Sequence, residues 1–419
     1  MAGGICTFAS TSDTPKFTQL KQLTQPEEEH AMKASRFALI AVPLAALSID
    51  AAAQSSVTLY GVVDNAFAYV NNQRGHSNFY MSQGNLQASK FGLLGSEDIG
   101  GGTKTVFRLE SGFNSLTGAQ ASASTLFNRQ AYVGLSNNRY GALTLGRQYT
   151  PYFSMVGALG PTGVLTGATS AHPGDVDALD TTLRFNNSIN YVSPNLAGLT
   201  IGAQYALGGV PGSIATGSNL SAALRYDYQP VSVAAGYVKL KNPATSPALG
   251  SFASNSPVNN GYATAGGVQM IAAAGRYTFK DLMIGFNYSN AQYAPDSRSL
   301  FTDEAIFNSY GAIATYRFTP AMTAGAGYSY TRASKANGIS NPAQYHQVSL
   351  EETYNVSART TFYALQAYQH AHGKSLIASG GPAGVGIANA VAVVGDSQNA
   401  SPSSGPSQFV AMVGLRHAF

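Results

Sequence analysis

Residues 321–331 have the sequence AMTAGAGYSYT, in which every second residue from Met322 to Tyr330 is apolar or aromatic. The residues between them are Thr, Gly or Ser, and residues 281–289, DLMIGFNYS, follow a similar pattern. A period of two places successive side chains on opposite faces of a β-strand, whereas a helix has a period of 3.6. From residue 57 onwards the chain repeats such segments. Each is about ten residues long, which is the length that a tilted strand needs to cross the hydrocarbon layer.

The two faces of these strands indicate their surroundings. In a soluble β-sandwich the inner face carries bulky side chains, and the outer face carries Lys and Glu. Here one face is apolar with aromatic ends, and the other consists mainly of Gly, Ser, Thr, Asn and Gln. This arrangement is typical of a barrel whose outside faces lipid and whose inside faces water.

The connections alternate between short turns and long loops, an asymmetry that is typical of bacterial membrane barrels. Counting the strands between them predicts an all-β fold, a transmembrane antiparallel 16-stranded β-barrel, which is wide enough to enclose an aqueous channel. Two features fit poorly, because Glu352 falls on an apolar face and 359–370 does not alternate clearly. The predicted strands are 57–70, 85–97, 103–113, 127–137, 141–149, 183–193, 198–207, 220–229, 231–240, 267–279, 281–290, 306–318, 321–331, 344–355, 359–370 and 407–419. The predicted long loops are 71–84, 114–126, 149–182, 208–219, 241–266, 291–305, 332–343 and 371–406.

The N-terminal part of the chain has the features of an export signal. The apolar stretch 37–49 is too short to span a membrane as a helix, and Pro43 interrupts it. Basic residues precede it and 51–53 is all alanine, so we expect 32–53 to be a signal peptide that is cleaved before the barrel, 54–419. Residues 1–31 would then come from an over-long start assignment, with an extended signal peptide as the alternative.

Composition and motifs exclude several functional classes. Only 11% of the residues are charged, and the basic residues are scattered singly, which argues against nucleic acid as a partner. The one cysteine, Cys6, lies upstream of the predicted cleavage site, so we expect neither disulfides nor thiolate metal ligands. The histidines, including His370 and His372, lack a metal-ligand spacing, and no Gly-x-Ser-x-Gly motif supports nucleophilic catalysis. We therefore expect no cofactor, no metal site and no enzymatic activity.

Several motifs together resemble those of a known family. In order along the chain they are QSSVTLYG (54–61), KFGL (90–93), GSED (95–98), RQAYVGL (129–135), LGRQY (145–149) and LRHAF (415–419). Over nearly all of 32–419 the chain resembles the trimeric general porins of Gram-negative bacteria, especially those of beta-class proteobacteria.

This resemblance implies a homotrimer in the cell outer membrane, in contact with lipids and lipopolysaccharide. It implies passive diffusion of small polar solutes and ions, and a third external loop, here 149–182, that folds inward to narrow the pore. It also implies that the C-terminal Phe419 is recognised by the barrel insertion machinery. A substrate-selective porin and an outer-membrane adhesin are the alternatives.

Charged residues are the candidates for the pore constriction. Matching to the family motifs makes Lys90, Arg129 and Arg184 members of a basic wall, and Arg147 matches less closely. A charge on the lipid face near the midplane would cost about 2–4 kcal/mol, which favours inward positions for all four. Rim or interface salt bridges are the alternative, and we expect Arg108 and Glu110, which share a polar face, to pair inside the barrel.

The acidic counterpart lies in the predicted third loop, with Asp175, Asp177 and Asp180. A Ca²⁺ site and a solvated loop are the alternatives for these aspartates. Removing residues 1–53 takes away four basic and five acidic residues, which raises the net charge from +4 to +5. We therefore expect a mild preference for anions.

Overall fold

The computed structural model describes residues 55–180, 183–242, 256–379, 384–396 and 402–419. The predicted signal peptide, 32–53, and the residues before it lie outside this part of the chain. Several short helical turns occur among the described residues, and none is long and apolar enough to span a bilayer.

The described residues form nineteen β-strands, of which seventeen join in one antiparallel sheet. The strands are β1 (Ser56–Gln73), β2 (His76–Gln83), β3 (Lys90–Gly100), β4 (Thr103–Gly112), β5 (Gln130–Asn137), β6 (Gly141–Tyr149), β7 (Arg184–Val192), β8 (Leu199–Ala206), β9 (Asn219–Tyr228), β10 (Val231–Lys241), β11 (Gly267–Phe279), β12 (Leu282–Ala294), β13 (Ala305–Arg317), β14 (Met322–Ala333), β15 (Gln344–Asn355), β16 (Thr360–His372), β17 (Lys374–Ala378), β18 (Val385–Asn389) and β19 (Ser407–Ala418). Strands β17 and β18 form a separate hairpin.

The last strand closes the sheet into a barrel. Strand β19 pairs with β1 from Val62↔Ala418 to Val70↔Val410. The terminal residue extends this pairing, because the N–H groups of Gly61 and Phe419 each donate to the other residue's carbonyl oxygen at 3.0 Å. Strands β2 and β3 pair with successive parts of β1 and together make one barrel strand. The barrel therefore has sixteen strands, which confirms the predicted fold class.

The predicted loop 71–84 is wrong. Strand β1 continues to Gln73, turns at Arg74 and Gly75, which both have positive φ, and returns as β2. The strand then breaks at 84–89, where the chain bends into the lumen. The carboxylate of Asp64 holds this bend by accepting hydrogen bonds from the N–H groups of Leu86 and Gln87, at 2.9 and 2.7 Å.

The predicted alternation between the two faces is confirmed in β14. Met322 and Tyr328 are 43% and 46% exposed on the outer surface, whereas Thr331, on the other face, is fully buried. Strand β16 also alternates, although its sequence hides the pattern. Its inward residues Tyr363 and Leu365 are apolar because they pack with Val394, from a loop that folds into the barrel.

The third loop folds inside the barrel as a series of short turns. They are a π-helical turn (Tyr152–Val156), a 3-10 turn (Gly157–Leu159), α1 (Pro161–Val164) and two further 3-10 turns (Gly167–Ser170 and Pro173–Asp175).

Glycines on the inner wall make room for this loop. A Cβ at Gly325 or Gly327 would lie 2.6 or 2.7 Å from a methyl group of Leu165 and would displace it. At Gly236 a Cβ would lie 3.1 Å from a methyl group of Val156. The small inner face of the strands therefore serves the packing of the loop as well as the width of the lumen.

A buried polar cluster fastens the loop to β12. His172 Nδ1 lies 2.5 Å from Asp177 Oδ2, and the hydroxyl of Ser289 donates to the same carboxylate oxygen. On the other side of the imidazole, Asn287 Nδ2 lies 3.1 Å from His172 Nε2. The hydroxyl of Tyr152 donates to the carbonyl oxygen of Asp177 at 2.9 Å. We call His172, Asp177, Asn287 and Ser289 the loop anchor.

A second segment, 390–396, also folds inward, so the predicted external loop 371–406 is only partly correct. The N–H of Val393 donates to Gln369 Oε1 at 2.7 Å, which ties the segment to the inner wall. The carbonyl oxygen of Gly395 accepts from Gly174 N–H, and Asp396 N–H donates to the carbonyl oxygen of Ala168, both at 3.1 Å. The segment therefore rests on the third loop.

We predict that Asp177→Asn loosens the third loop. Removing one partner of a buried hydrogen-bonded pair costs about 1–3 kcal/mol, because it leaves a polar atom of the other group buried and unsatisfied. We expect a lower thermal unfolding midpoint in detergent and noisier single-channel currents. Asp98→Asn, at an exposed position near the end of β3, is the matched control. Unchanged noise and an unchanged midpoint in Asp177→Asn would contradict this role.

The anchor also predicts a pH dependence. Burial raises the pKa of Asp177, but the charge of His172 and the hydrogen bonds from His172 and Ser289 outweigh it, so the pKa lies below its ordinary value. A lowered pKa contributes stability that is present above the unfolded value, about 3.9, and is lost as the pH falls through the folded value. We therefore expect loop noise in the native protein only below about pH 4, and in Asp177→Asn at every pH.

Candidate functional site

A cavity of about 540 Å³ separates the third loop from the opposite inner wall. Its lining includes three basic residues, Lys90, Arg129 and Arg416, and two acidic residues, Asp180 and Glu351. The inward bend at 84–88 completes the lining together with loop residues from 153–168. The cavity therefore brings basic and acidic side chains together inside the barrel.

Glu110 lies at the centre of the basic wall. Its two carboxylate oxygens lie 3.7 Å from Lys90 Nζ and 3.0 Å from Arg129 Nε, and it accepts a hydrogen bond from Tyr60 at 2.8 Å. The predicted pairing of Glu110 with Arg108 is wrong, because the Arg108 guanidinium instead lies over the Tyr60 ring, 5.5 Å from its centroid. Glu110 thus holds two cations together and neutralises part of their charge.

Arg184 contacts the side of the Tyr149 side chain that faces away from the cavity. Its guanidinium lies 4.7 Å from the centroid of the Tyr149 ring, and Nη2 donates to the Tyr149 hydroxyl at 3.1 Å. Arg129 approaches the same ring at 5.8 Å. Tyr149 lines the cavity and Arg184 does not. Arg184 therefore contributes its charge at longer range and fixes the orientation of Tyr149.

Arg147 does not line the cavity, although it lies close enough to Arg184 for the two charges to repel each other. It pairs directly with Ala131, on the face of β5 that carries the exposed Val133 and Leu135, so it points outward. Its Nε donates to the carbonyl oxygen of Asn128 at 2.7 Å, and its Nη1 donates to Asn186 Oδ1. The assignment of Arg147 to the basic wall is therefore wrong, because hydrogen bonds at the outer surface hold its charge.

The sequence interpretation missed Arg416 and Glu351. Arg416 pairs with the inward Asp64, and its Nε donates to Gln87 Oε1 at 2.7 Å, which joins β19 to the inward bend. Glu351 lies on the inner face of β15, whereas its neighbour Glu352 is exposed three residues from the periplasmic end of the strand. That rim position explains why Glu352 falls on an apolar face.

Only one of the three loop aspartates lines the cavity. Asp180 does so, while Asp175 accepts a hydrogen bond from the Asp180 N–H at 2.9 Å and thereby shapes the loop. Asp177 belongs to the loop anchor. Among the residues that the structure describes, no three His, Cys, Asp or Glu side chains are grouped as metal ligands.

Comparison with known proteins places this architecture in a family. The family model for Gram-negative porins matches residues 38–374. An outer membrane porin protein of Bordetella pertussis is 34% identical over 227 residues, and outer membrane porin protein 32 of Delftia acidovorans is 35% identical over 219. The matches cover 48% of this chain in both cases, and 58% and 59% of the two relatives, so the chain spans less than two thirds of their length.

Solved structures agree with the fold. An anion-selective porin from Comamonas acidovorans has a TM-score of 0.68 at 24% identity, over 87% of this chain and all of the other. The trimer form of OmpT, an outer membrane protein of Vibrio cholerae, has a TM-score of 0.58 at 16% identity, over 87% of this chain and 99% of the other. With a family model that matches most of the sequence and a closed sixteen-stranded barrel, the chain belongs to the Gram-negative porin family.

Proposed function

We propose that the barrel is a passive, water-filled channel through which small hydrophilic solutes and ions cross the outer membrane. The observation that carries this proposal is the charged cavity between the third loop and the inner wall of a closed barrel. The outer surface carries many exposed apolar side chains and suits lipid, while Lys90, Arg129, Asp180, Glu351 and Arg416 line the cavity inside the barrel. Such a constriction selects solutes by size and by the field of its side chains.

The charges of the constriction favour anions. Lys90, Arg129 and Arg416 line the cavity and Arg184 stands behind it, against the carboxylates of Glu110, Asp180 and Glu351. The similar barrel from Comamonas acidovorans is described as anion-selective, which agrees in sign. In a water-filled lumen the dielectric constant is high and salt screens charges over about 8–10 Å, so the preference is severalfold and falls as salt rises.

A channel with a binding site for dipolar solutes is the second candidate. Cationic and anionic groups line the same cavity, so a solute with separated charges can orient across it. Catalysis has less support, although His172, Asp177 and Ser289 lie together. Ser289 donates to Asp177 and not to the imidazole, so these three residues lack the serine–histidine hydrogen bond of a catalytic triad, and all three are buried.

We predict that the constriction residues set the reversal potential across a planar bilayer under a KCl gradient. The native protein should prefer chloride. Lys90→Gln with Arg416→Gln should move the permeability ratio towards one, because two cations leave the cavity. Asp180→Asn should strengthen the chloride preference, because it removes an acidic group from the cavity lining.

Arg147→Gln is the matched control, because it removes an arginine that points away from the cavity. We expect it to keep the native reversal potential. A native preference for K⁺ would refute the proposed sign. An unchanged reversal potential in the Lys90→Gln and Arg416→Gln variant would show that solutes do not pass this cavity.

We also propose that the protein is a homotrimer. A groove of about 480 Å³ on the outer surface lies beside Phe419 and is lined by Phe91, Leu126 and Gly118, the last two from the predicted loop 114–126. An apolar groove next to a loop can receive the same loop of a neighbour. Analytical ultracentrifugation in mild detergent should give the mass of a trimer, and a monomer at micromolar concentration would exclude it.

Phe419 is our proposed signal for the insertion machinery. It ends the barrel seam, and its side chain is 44% exposed on the outer surface. Phe419→Ser should lower outer-membrane levels and leave protein in the periplasm. Phe318→Ser, at an exposed position near a periplasmic turn, is the control that loses an equal aromatic surface. Equal outer-membrane levels of the two variants would contradict a special role for the terminal residue.

A further inference from the structure

Arg108 lies on the inner wall of the barrel outside the constriction cavity, whose lining does not include it. It shares the inner face of β4 with Glu110, two residues further along the strand, which places it about 7 Å from Glu110 along the wall. The residue opposite it on β3 pairs in turn with Thr58, so Arg108 is nearer than Glu110 to the end of the barrel at which β1 begins. A solute that leaves the cavity towards that end therefore passes Arg108.

The Arg108 guanidinium has no carboxylate partner. It lies over the Tyr60 ring, 5.5 Å from the centroid, while the hydroxyl of that tyrosine donates to Glu110. Among the described residues the ion pairs do not include Arg108, and its Nε is buried without a hydrogen-bond partner. Lys90 and Arg129, by contrast, share the carboxylate of Glu110. Because a ring under a guanidinium occupies its face and not its N–H edge, Arg108 can donate hydrogen bonds to a solute.

Apolar and aromatic side chains flank Arg108 on both neighbouring strands. Leu94 lies directly opposite it on β3, on the inner face that also carries Lys90, and is 39% exposed. Tyr132 lies directly opposite it on β5. Other apolar residues of the inner wall, such as Leu365, are buried under the inward segments, whereas Leu94 is open to the lumen. Water-exposed apolar surface gains free energy when the apolar part of a solute covers it.

The wall thus combines a guanidinium with an aliphatic and two aromatic side chains. A carboxylate can accept two parallel N–H bonds from the guanidinium, and an aromatic ring can cover Leu94 and pack against a tyrosine ring. We propose that Tyr60, Leu94, Arg108 and Tyr132 form a binding subsite for aromatic carboxylates, which we call the Arg108 subsite. The inference rests on the proposed channel function. It adds recognition of the apolar part of a solute to selection by size and charge.

Benzoate is the probe for this subsite, and acetate is the matched anion without a ring. Bound benzoate would occupy part of the lumen and neutralise Arg108, so it should reduce the chloride current. The potassium salt of each anion is added to a planar bilayer in KCl at neutral pH, where both carboxylates are ionised. We expect benzoate to halve the single-channel current of the native protein at about one tenth of the acetate concentration.

Two variants separate the charge of the subsite from its apolar surface. Arg108→Gln should raise the half-blocking concentration of benzoate about tenfold, because the charged pair of donors is lost. Leu94→Ser should raise it about threefold and leave that of acetate unchanged. Lys104→Gln is the matched control, since it removes a cation from the same face of β4, where the residues directly opposite are Asp98 and Ser136. It should keep the native half-blocking concentration of benzoate.

Equal half-blocking concentrations of benzoate and acetate in the native protein would overturn the proposal, and so would equal losses of block in Arg108→Gln and Lys104→Gln. In either case the KCl current would persist, so the channel function would stand. Should the barrel not conduct KCl, saturation-transfer NMR of benzoate with the same proteins in detergent decides the binding separately. Should Arg108→Gln not fold, Arg108→Lys keeps the charge but loses the paired donors, and it must also weaken the block by benzoate.

Discussion

The constraint on which this structure depends is that every backbone N–H and C=O group inside a bilayer needs a partner within the protein. A sheet meets this constraint only when its first and last strands pair, because an open edge would leave a row of unpaired groups in lipid. Here the closure extends to the last residue of the chain, through the reciprocal hydrogen bonds between Gly61 and Phe419. The lumen exists because sixteen strands are too many for side chains to fill it.

The closed wall then determines what the lumen can hold. Inner positions with Gly, such as Gly236 and Gly325, leave room for the third loop, and the loop anchor fixes that loop to β12. The bend held by Asp64 comes towards the loop from the opposite side and meets Arg416. Two segments of the chain therefore leave the barrel wall and form the constriction. A buried carboxylate holds each of them: Asp64 holds the bend and Asp177 holds the third loop.

The barrel fold and the direction of most strand side chains could be predicted from the period of two in the sequence. Lipid outside and water inside require apolar and polar residues to alternate along each strand. The phase of Leu143 and Leu145 already places Arg147 outside, and the phase of Leu415 places Arg416 inside, so both corrections were available in the sequence. Strand β2 was missed because only Phe79 and Met81 mark its outer face.

The third loop and the segment 390–396 have no periodic sequence pattern that would predict their contacts. The pairing of Asp177 with Ser289, and the position of Val394 against β16, join residues that are distant in sequence. Because the sequence of a loop has no such period, it does not predict which strands of the barrel the loop packs against. The sequence also does not show how far along a strand a charged residue lies from the end of the barrel. Glu351 is buried on the inner face of β15, whereas its neighbour Glu352 is exposed near the end of the strand.

Thiol modification inside the lumen tests most directly whether solutes pass between the third loop and the basic wall. The only cysteine, Cys6, precedes the predicted cleavage site, and Ser154 lines the cavity with an exposed side chain. In a Ser154→Cys variant, a charged methanethiosulfonate reagent should attach at this position and reduce the single-channel current. Complete labelling of the cysteine with an unchanged current would contradict a conducting path through this cavity.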